Sequence, residues 1–354
     1  MKLKFENKAI RGVLSVLPEN TSYMEDEIIN PDDPKAKRLK RIIGYGARRR
    51  AKGTTTLSDL LKYGMDYLID NGLLIKDDIG AIIVSTLSQD YIVPTVSSIL
   101  QGDLGIPRDV FCVDIPQACS GFTVGLIEAF MLLEHLDKGK KVVLCTGEIL
   151  NRKSDENEPR KEHPSFGGDI ANITIVENTD MENSIFCSYY NDGSSRDALV
   201  IRNGGFRRPM TPELIAAQTS NLPCTKMDMD GSAVFNFVQK EIPASVDEIL
   251  KLAAVDREKV DYYLFHQPNR YMLEKLAQTM GIPMEKLPMQ LTQELGNSNS
   301  GTIPAVITTY VADKLMEKDV KKCCLSGFGA GLTWATIVMD IGQLDFCENL
   351  QSNL

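Results

Sequence analysis

Asp114-Ile-Pro-Gln-Ala-Cys-Ser-Gly-Phe122 decides the reading of this chain, because it sets a thiol where a strand stops and a helix starts. Upstream, Asp109-Val-Phe-Cys-Val-Asp114 is short, apolar and rich in β-formers, which predicts a strand. Downstream, Ser120 to Leu136 is apolar nearly all round and ends at Asp137-Lys-Gly139, which predicts a buried helix and its stop. A thiol in the first turn of such a helix faces unpaired N–H groups and the positive end of the helix dipole. Both favour thiolate and are expected to lower the pKa from about 8.5. Gly121 is read as leaving room for a substrate. Two readings of Cys119 stand side by side: a nucleophile, or a small core hydrophobe of the kind free cysteines usually are.

Working outward, the same plan recurs downstream. Ala118-Cys-Ser-Gly121 opens a helix, and Lys140-Lys141 then leads into the strand Val142-Val-Leu-Cys-Thr-Gly147. Gly296-Asn-Ser-Asn-Ser-Gly301 opens a helix over Thr302 to Met316, and Lys321-Lys322 leads into Cys323-Cys-Leu-Ser-Gly327. The recurrence predicts a duplicated α/β unit in which Cys119 and Asn297 hold corresponding helix starts facing one site. Short apolar runs at Ile79–Ser85, Val142–Thr146, Ile173–Val176, Val260–Phe265, Lys322–Ser326 and Thr333–Met339 alternate with helical stretches. They predict mixed sheets layered between helices. The expected division is an N-terminal half over 1–177, a connecting segment over 178–228, and a C-terminal half over 229–354.

His266 leaves an apolar strand and opens His266-Gln-Pro-Asn269, where Pro268 forces a turn. It reads either as a catalytic group or as a satisfied structural histidine. Asn297 is either a site residue or ordinary turn chemistry. Gly327-Phe-Gly-Ala-Gly-Leu-Thr-Trp334 offers backbone N–H groups and close approach, but lacks the spacing of a dinucleotide fingerprint. No histidine has metal-ligand spacing to cysteines or carboxylates, so no metal is expected.

Bulk properties exclude several classes. A chain of 354 residues with 43% hydrophobic and 25% charged residues suits a globular protein of two halves. The net charge of −9 speaks against nucleic acid as a partner. No run suits a membrane span or a signal peptide, and eight cysteines without a regular framework fit reduced thiols, so a cytoplasmic location is expected. Residues 35–52 hold nine basic side chains and no acid, which is either a solvated face or a landing site for an anion such as a phosphate-bearing group or an acidic carrier protein.

Taken together, these motifs resemble the thiolase-fold condensing enzymes, and within them β-ketoacyl-acyl carrier protein synthase III. Ala118-Cys-Ser-Gly-Phe122 is similar to the nucleophile motif, His266-Gln-Pro-Asn269 to the histidine motif (with proline in place of the usual alanine), and Gly296-Asn-Ser298 to the asparagine motif. The likeness runs from Ile10 through Gly44-Tyr-Gly-Ala-Arg-Arg49 and Met229-Asp-Gly231 to the Gly327–Trp334 loop.

The resemblance implies an αβαβα thiolase-like fold of two similar halves, and a catalytic set of Cys119, His266 and Asn297. It also implies an oxyanion hole from the backbone N–H groups of Cys119 and Ala330, with Asn269 in support. It implies decarboxylative condensation of an acyl thioester with malonyl-acyl carrier protein through acyl-Cys119, serving fatty-acid or secondary-metabolite synthesis. The rival implication is transfer of the acyl group to a hydroxyl or amine. No cofactor is implied; coenzyme A or phosphopantetheine thioesters would be substrates, with Arg152 and Arg160 near the coenzyme. The implied partners are acyl carrier protein and a second copy of the chain, whose acyl pocket would receive Gln89-Asp-Tyr-Ile-Val-Pro94. Departures include Gly168-Asp-Ile-Ala-Asn-Ile173, which replaces two glycines of the family pattern, and the absence of a tryptophan before Arg48. They point to a divergent paralogue with a different starter or carrier.

Overall fold

The computed structural model describes residues 1–27, 30, 32–44, 46–151, 166–216 and 227–354. The apolar runs become inner strands, and each divides its side chains between two cores. In Ile79–Ser85, Ala81 and Ile83 enter one apolar cluster while Ile82 and Val84 enter another. Val142 and Leu144 follow the first pair, Val143 and Cys145 the second. Strands buried on both faces have no polar side to show, so they read as continuous rather than alternating hydrophobic runs.

Two mixed sheets result. The six-stranded sheet runs Phe346–Ser352, Lys8–Pro18, Ile170–Asn178, Lys141–Glu148, Ile79–Ser85, Phe111–Ile115. The five-stranded sheet runs Lys2–Glu6, Ser184–Asn191, Thr333–Ile341, Lys321–Gly329, Tyr262–Phe265. One pairing plan underlies both. The first strand of each half lies antiparallel to the last, the last antiparallel to the one before it, and that one parallel to the strand at the start of the crossover. The chain ends are exchanged: Lys2–Glu6 extends the sheet of the second half, and Phe346–Ser352 that of the first.

Helices complete five layers. Gly121–Leu133 lies between the sheets beside the helical run Thr302–Val306, Ile307–Val311 and Ala312–Leu315, whose middle turn is π-helical. A helix flanked by sheets on two sides must be apolar all round, which explains its sequence. Leu57–Asp70 and Val96–Asp103 cover the outer face of the six-stranded sheet. Gly231–Ala253 and Arg270–Met280 cover that of the five-stranded one. This is the αβαβα order expected of a duplicated α/β protein.

Two expectations change. The segment 178–228 is not wholly a connector: Ser184–Asn191 lies inside the five-stranded sheet, with Ile185 and Cys187 in the central core, so the second half starts well before 229. Its half-exposed alternate positions break the apolar run that marks the other strands. Nor do residues 35–52 form one charged face. The basic helix Pro34–Ile43 is followed by Arg48, which is 1% exposed and donates to Ser22 Oγ, Asn151 Oδ1 and the Gly167 carbonyl. No helix among the described residues is long and apolar enough to cross a membrane.

Candidate active site

The corner carrying Cys119 is built twice. In the first half Ala118 has φ +44°, a 3-10 turn spans Ala118–Ser120, and the helix follows at Gly121. In the second half Asn299 has φ +49°, a 3-10 turn spans Asn299–Gly301, and the helix follows at Thr302. A left-handed residue at both places turns the chain sharply off the sheet and into the helix. In this register Asn299 matches Ala118 and Ser300 matches Cys119. Asn297 stands two residues before the corner and does not correspond to Cys119.

The corners touch directly. A Cβ on Gly121 would collide with Ser85 Oγ and come within 3.0 Å of Ser300 Cβ, so this glycine lets the two halves meet rather than leaving room for a substrate. A Cβ on Gly329 would lie 2.7 Å from Cys119 Cβ and 3.3 Å from its Sγ, which brings the end of strand Lys321–Gly329 against this thiol. Half-buried Ala330 is the next residue, in the turn leading to Thr333–Ile341.

The polar groups converge on Asn299. Cys119 Sγ donates to Asn299 Oδ1 at 3.5 Å, and Asn299 Nδ2 donates to Glu148 Oε1 at 3.1 Å. Glu148 also accepts from Thr86 Oγ1 at 3.2 Å and Leu87 N–H at 3.1 Å. His266 is 2% exposed; its Nδ1 lies 2.8 Å from Thr302 Oγ1, and the ring meets Phe328 edge-on at 5.4 Å. Thr302 Oγ1 is also 3.0 Å from the Asn299 carbonyl. Asn297 joins through its Oδ1, which accepts from the Asn299 N–H at 2.9 Å, while Nδ2 finds no acceptor among the described residues. Its backbone is fixed by Phe166 O and the Gly168 N–H. Asn269 caps the helix Arg270–Met280, accepting from the Met272 N–H at 2.9 Å, and so anchors the turn after His266. Arg152 and Arg160 lie outside the described residues.

The electrostatics correct one expectation. The Cys119 thiol is pushed up to about 12, first by burial and then by the Glu148 charge. Desolvation of a thiolate outweighs the helix end here, contrary to the lowered pKa expected from sequence. Burial holds His266 down to about 3, so its imidazole is neutral. Burial pushes Glu148 up to about 7 against its hydrogen bonds from Asn299, Ser88, Leu87 and Thr86.

Three residues of this cluster escaped the sequence reading. Asn299 stood inside the quoted Gly296–Gly301 turn, overshadowed by Asn297. Thr302 carries no signal in the sequence beyond the start of a helix. Glu148 had a signal, a lone carboxylate ending an otherwise apolar strand, but its partner is 151 residues away.

A duplicated α/β fold whose two helix-start corners meet around a cysteine, with a neutral histidine beside them, defines a thiolase-like condensing enzyme. Residues 250–341 match the family described as 3-oxoacyl-[acyl-carrier-protein (ACP)] synthase III C terminal. The β-ketoacyl-[acyl-carrier-protein] synthase III of Streptococcus uberis is 30% identical over 334 residues, covering 92% of this chain and 99% of that protein. Its counterpart from Lactobacillus helveticus is 30% identical over 348 residues, covering 95% and 99%. The crystal structure of a 3-oxoacyl-(acyl-carrier protein) synthase from Burkholderia xenovorans is similar with a TM-score of 0.88 at 26% identity, covering 99% of both chains. The chain belongs to the 3-oxoacyl-acyl carrier protein synthase III family, transferases of the condensing type in fatty-acid biosynthesis.

Proposed function

We propose that the chain joins an acyl starter to malonyl-acyl carrier protein by decarboxylative Claisen condensation through acyl-Cys119. The observation that carries this reading is the convergence of the Cys119 sulfur and a neutral His266 on one turn, Asn297–Thr302. In the first half-reaction Cys119 Sγ bonds the acyl carbon of the starter thioester, and the bond to the carrier sulfur breaks. The leaving thiolate takes up the proton that Cys119 gave up. The N–H groups of Cys119 and Ala330 receive the oxyanion, a contribution commonly of about 3 kcal/mol per donor.

In the second half-reaction His266 Nε2–H and Asn297 Nδ2–H donate to the thioester carbonyl of the malonyl group. Its carboxylate carbon leaves as carbon dioxide, and the bonding pair stays as an enolate. The enolate carbon bonds the acyl carbon, the bond to Sγ breaks, and a 3-ketoacyl thioester departs. Two neutral donors suit the step, because a cationic acid at the same place would protonate the carbanion. Burial keeps His266 in that neutral form.

The substrates are coenzyme A or phosphopantetheine thioesters, with Arg152 and Arg160 assigned to their phosphates and acyl carrier protein as the macromolecular partner. A homodimer belongs to the same reading. Tyr91, Ile92 and Val93 are 62%, 83% and 78% exposed, and Phe111 opens the outermost strand of the six-stranded sheet, an apolar edge that a second copy would cover.

Peptide mass spectrometry after incubation with a panel of acyl thioesters tests the first half-reaction: the acyl mass is expected on Cys119 and absent in C119A. Release of carbon dioxide from malonyl-acyl carrier protein, dependent on prior acylation, tests the second. Acylation followed by transfer to a hydroxyl or amine with no carbon dioxide would replace the condensation by acyl transfer, and an unlabelled Cys119 would end both readings.

A further inference from the structure

Condensation leaves without a task the buried carboxylate of Glu148, which bonds the side chain that holds the Cys119 sulfur. Glu148 ends the strand Lys141–Glu148 with 0% exposure, and no cation contacts it among the described residues. Its partners are the uncharged donors Thr86 Oγ1, the Leu87 N–H, Ser88 and Asn299 Nδ2. Removing a carboxylate from water without a cation is costly, so such a group is rarely kept for packing alone.

Its effect on Asn299 follows from donor and acceptor rules. An ionised Glu148 only accepts, so it fixes the Asn299 amide with Nδ2 toward itself and Oδ1 toward Cys119. A carbonyl oxygen accepts from a thiol but repels a thiolate. The observed arrangement therefore holds the sulfur protonated.

We propose that Glu148 is a positioning residue that governs the ionisation of Cys119 through the side chain of Asn299. When the thiol loses its proton Glu148 gains one, and the amide turns over. Oδ1 then accepts from the new Glu148 hydroxyl, and Nδ2 donates to the thiolate. One proton moves, from sulfur to carboxylate, and the summed charge of the pair is unchanged.

Burial supports the exchange by raising Glu148 to about 7, so that its acid form is accessible near neutrality. Among the described residues Cys119 is the titratable group facing this carboxylate across Asn299. The groups facing it from the segment after Ile79–Ser85 are the uncharged Thr86, Leu87 and Ser88. His266 meets Asn299 from the other side, at its backbone carbonyl, and is neutral.

The inference rests on Cys119 being the nucleophile, and the test separates the two. Iodoacetamide alkylation of Cys119 is followed by peptide mass spectrometry from pH 6 to 10 in wild type, E148Q, N299A and the double variant, each checked for folding by circular dichroism. E148Q is expected to move the alkylation midpoint down by at least one pH unit, about tenfold faster labelling at pH 7.5. N299A is expected to slow labelling at that pH at least tenfold, because no N–H reaches the thiolate; loss of a mere acceptor would speed it. In the N299A background, E148Q is expected to speed labelling by a clearly smaller factor, the part that its charge exerts directly on the sulfur. An unmoved midpoint in E148Q, an equal shift with and without Asn299, or faster labelling in N299A overturns the proposal. Should E148Q not fold, the direction of the N299A effect still decides. Failure of Cys119 to take up acyl mass would instead remove the nucleophile itself.

Discussion

His266 Nδ1 and Thr302 Oγ1 lie 2.8 Å apart, a contact that ties the ring's tautomer to where the Thr302 hydroxyl hydrogen points. Thr302 has one hydroxyl hydrogen and two acceptors within reach, His266 Nδ1 and the Asn299 carbonyl at 3.0 Å. When Nδ1 takes that hydrogen, a neutral ring must carry its own proton on Nε2, the form a donor to the malonyl carbonyl requires. T302V removes the hydroxyl and with it the only hydrogen that Nδ1 could accept at this contact. Carbon dioxide release from malonyl-acyl carrier protein is expected to fall by about a hundredfold, the usual effect of losing one such donor. Acylation of Cys119 should stay within about threefold, and T302S should restore condensation. Equal losses in both half-reactions would assign Thr302 to the fold and not to the tautomer.

Asn297 separates the half-reactions from another direction. Its Oδ1 is engaged by the Asn299 N–H, so only Nδ2 remains to meet a substrate. N297D keeps the acceptor and replaces the donor by oxygen. Decarboxylation is expected to drop by about a hundredfold or more while the acyl-Cys119 mass still accumulates. Stopped-flow release of carbon dioxide beside intact-mass measurement checks this. Unimpaired decarboxylation in N297D would remove Asn297 from the reaction.

Burial of a neutral histidine fixes the sign of a stability change with pH. His266 is held down to about 3, whereas in the unfolded chain imidazole titrates near 6.5. As pH falls from 6.5 toward 3 the unfolded chain binds the extra proton, so this residue's contribution to stability is lost on acidification. Glu148 runs the other way. Its folded value of about 7 exceeds the usual 4.5, so its contribution is full below about 4.5 and is lost as pH rises through 7. Between pH 6 and 4.5 the two slopes oppose each other. H266Q removes one of them, and its stability relative to wild type is expected to rise by about 1.4 kcal/mol per pH unit lost across that window. Urea unfolding at constant ionic strength measures it. A flat difference would mean that the imidazole is charged in the folded protein.

The inner strands were legible because burial on both faces leaves continuous apolar runs, as in Ile79–Ser85 and Lys141–Glu148. The repeat was legible because each helix start needs small and polar residues at a sharp corner. Its register was not. Gly296-Asn-Ser-Asn-Ser-Gly301 offers two asparagines, and only the left-handed φ of Asn299 shows which one sits at the corner. The sign of the Cys119 shift was missed because a helix end can be read from sequence, whereas desolvation depends on Gly329 and the other half of the molecule closing over the sulfur. Arg48 looked like surface charge for the same reason: its acceptors, Asn151 and Gly167, lie about a hundred residues downstream.

Crowding at the Cys119 corner supplies the last test. Gly121 has room for no side chain, because Ser85 Oγ occupies the place of its Cβ and Ser300 Cβ lies 3.0 Å from it. G121A forces the Cys119 corner away from the sheet. Overpacking of this kind costs about 2 kcal/mol, and here the strain falls on the turn that carries Cys119. G121A is therefore expected to lower both the urea midpoint and the rate of Cys119 acylation. S85G removes the colliding hydroxyl and its Cβ, leaving only Ser300 at the margin. The G121A/S85G pair should recover at least half of the lost stability and most of the acylation rate, because the two residues compete for one volume. Strict additivity of the two changes would show that they do not share that space.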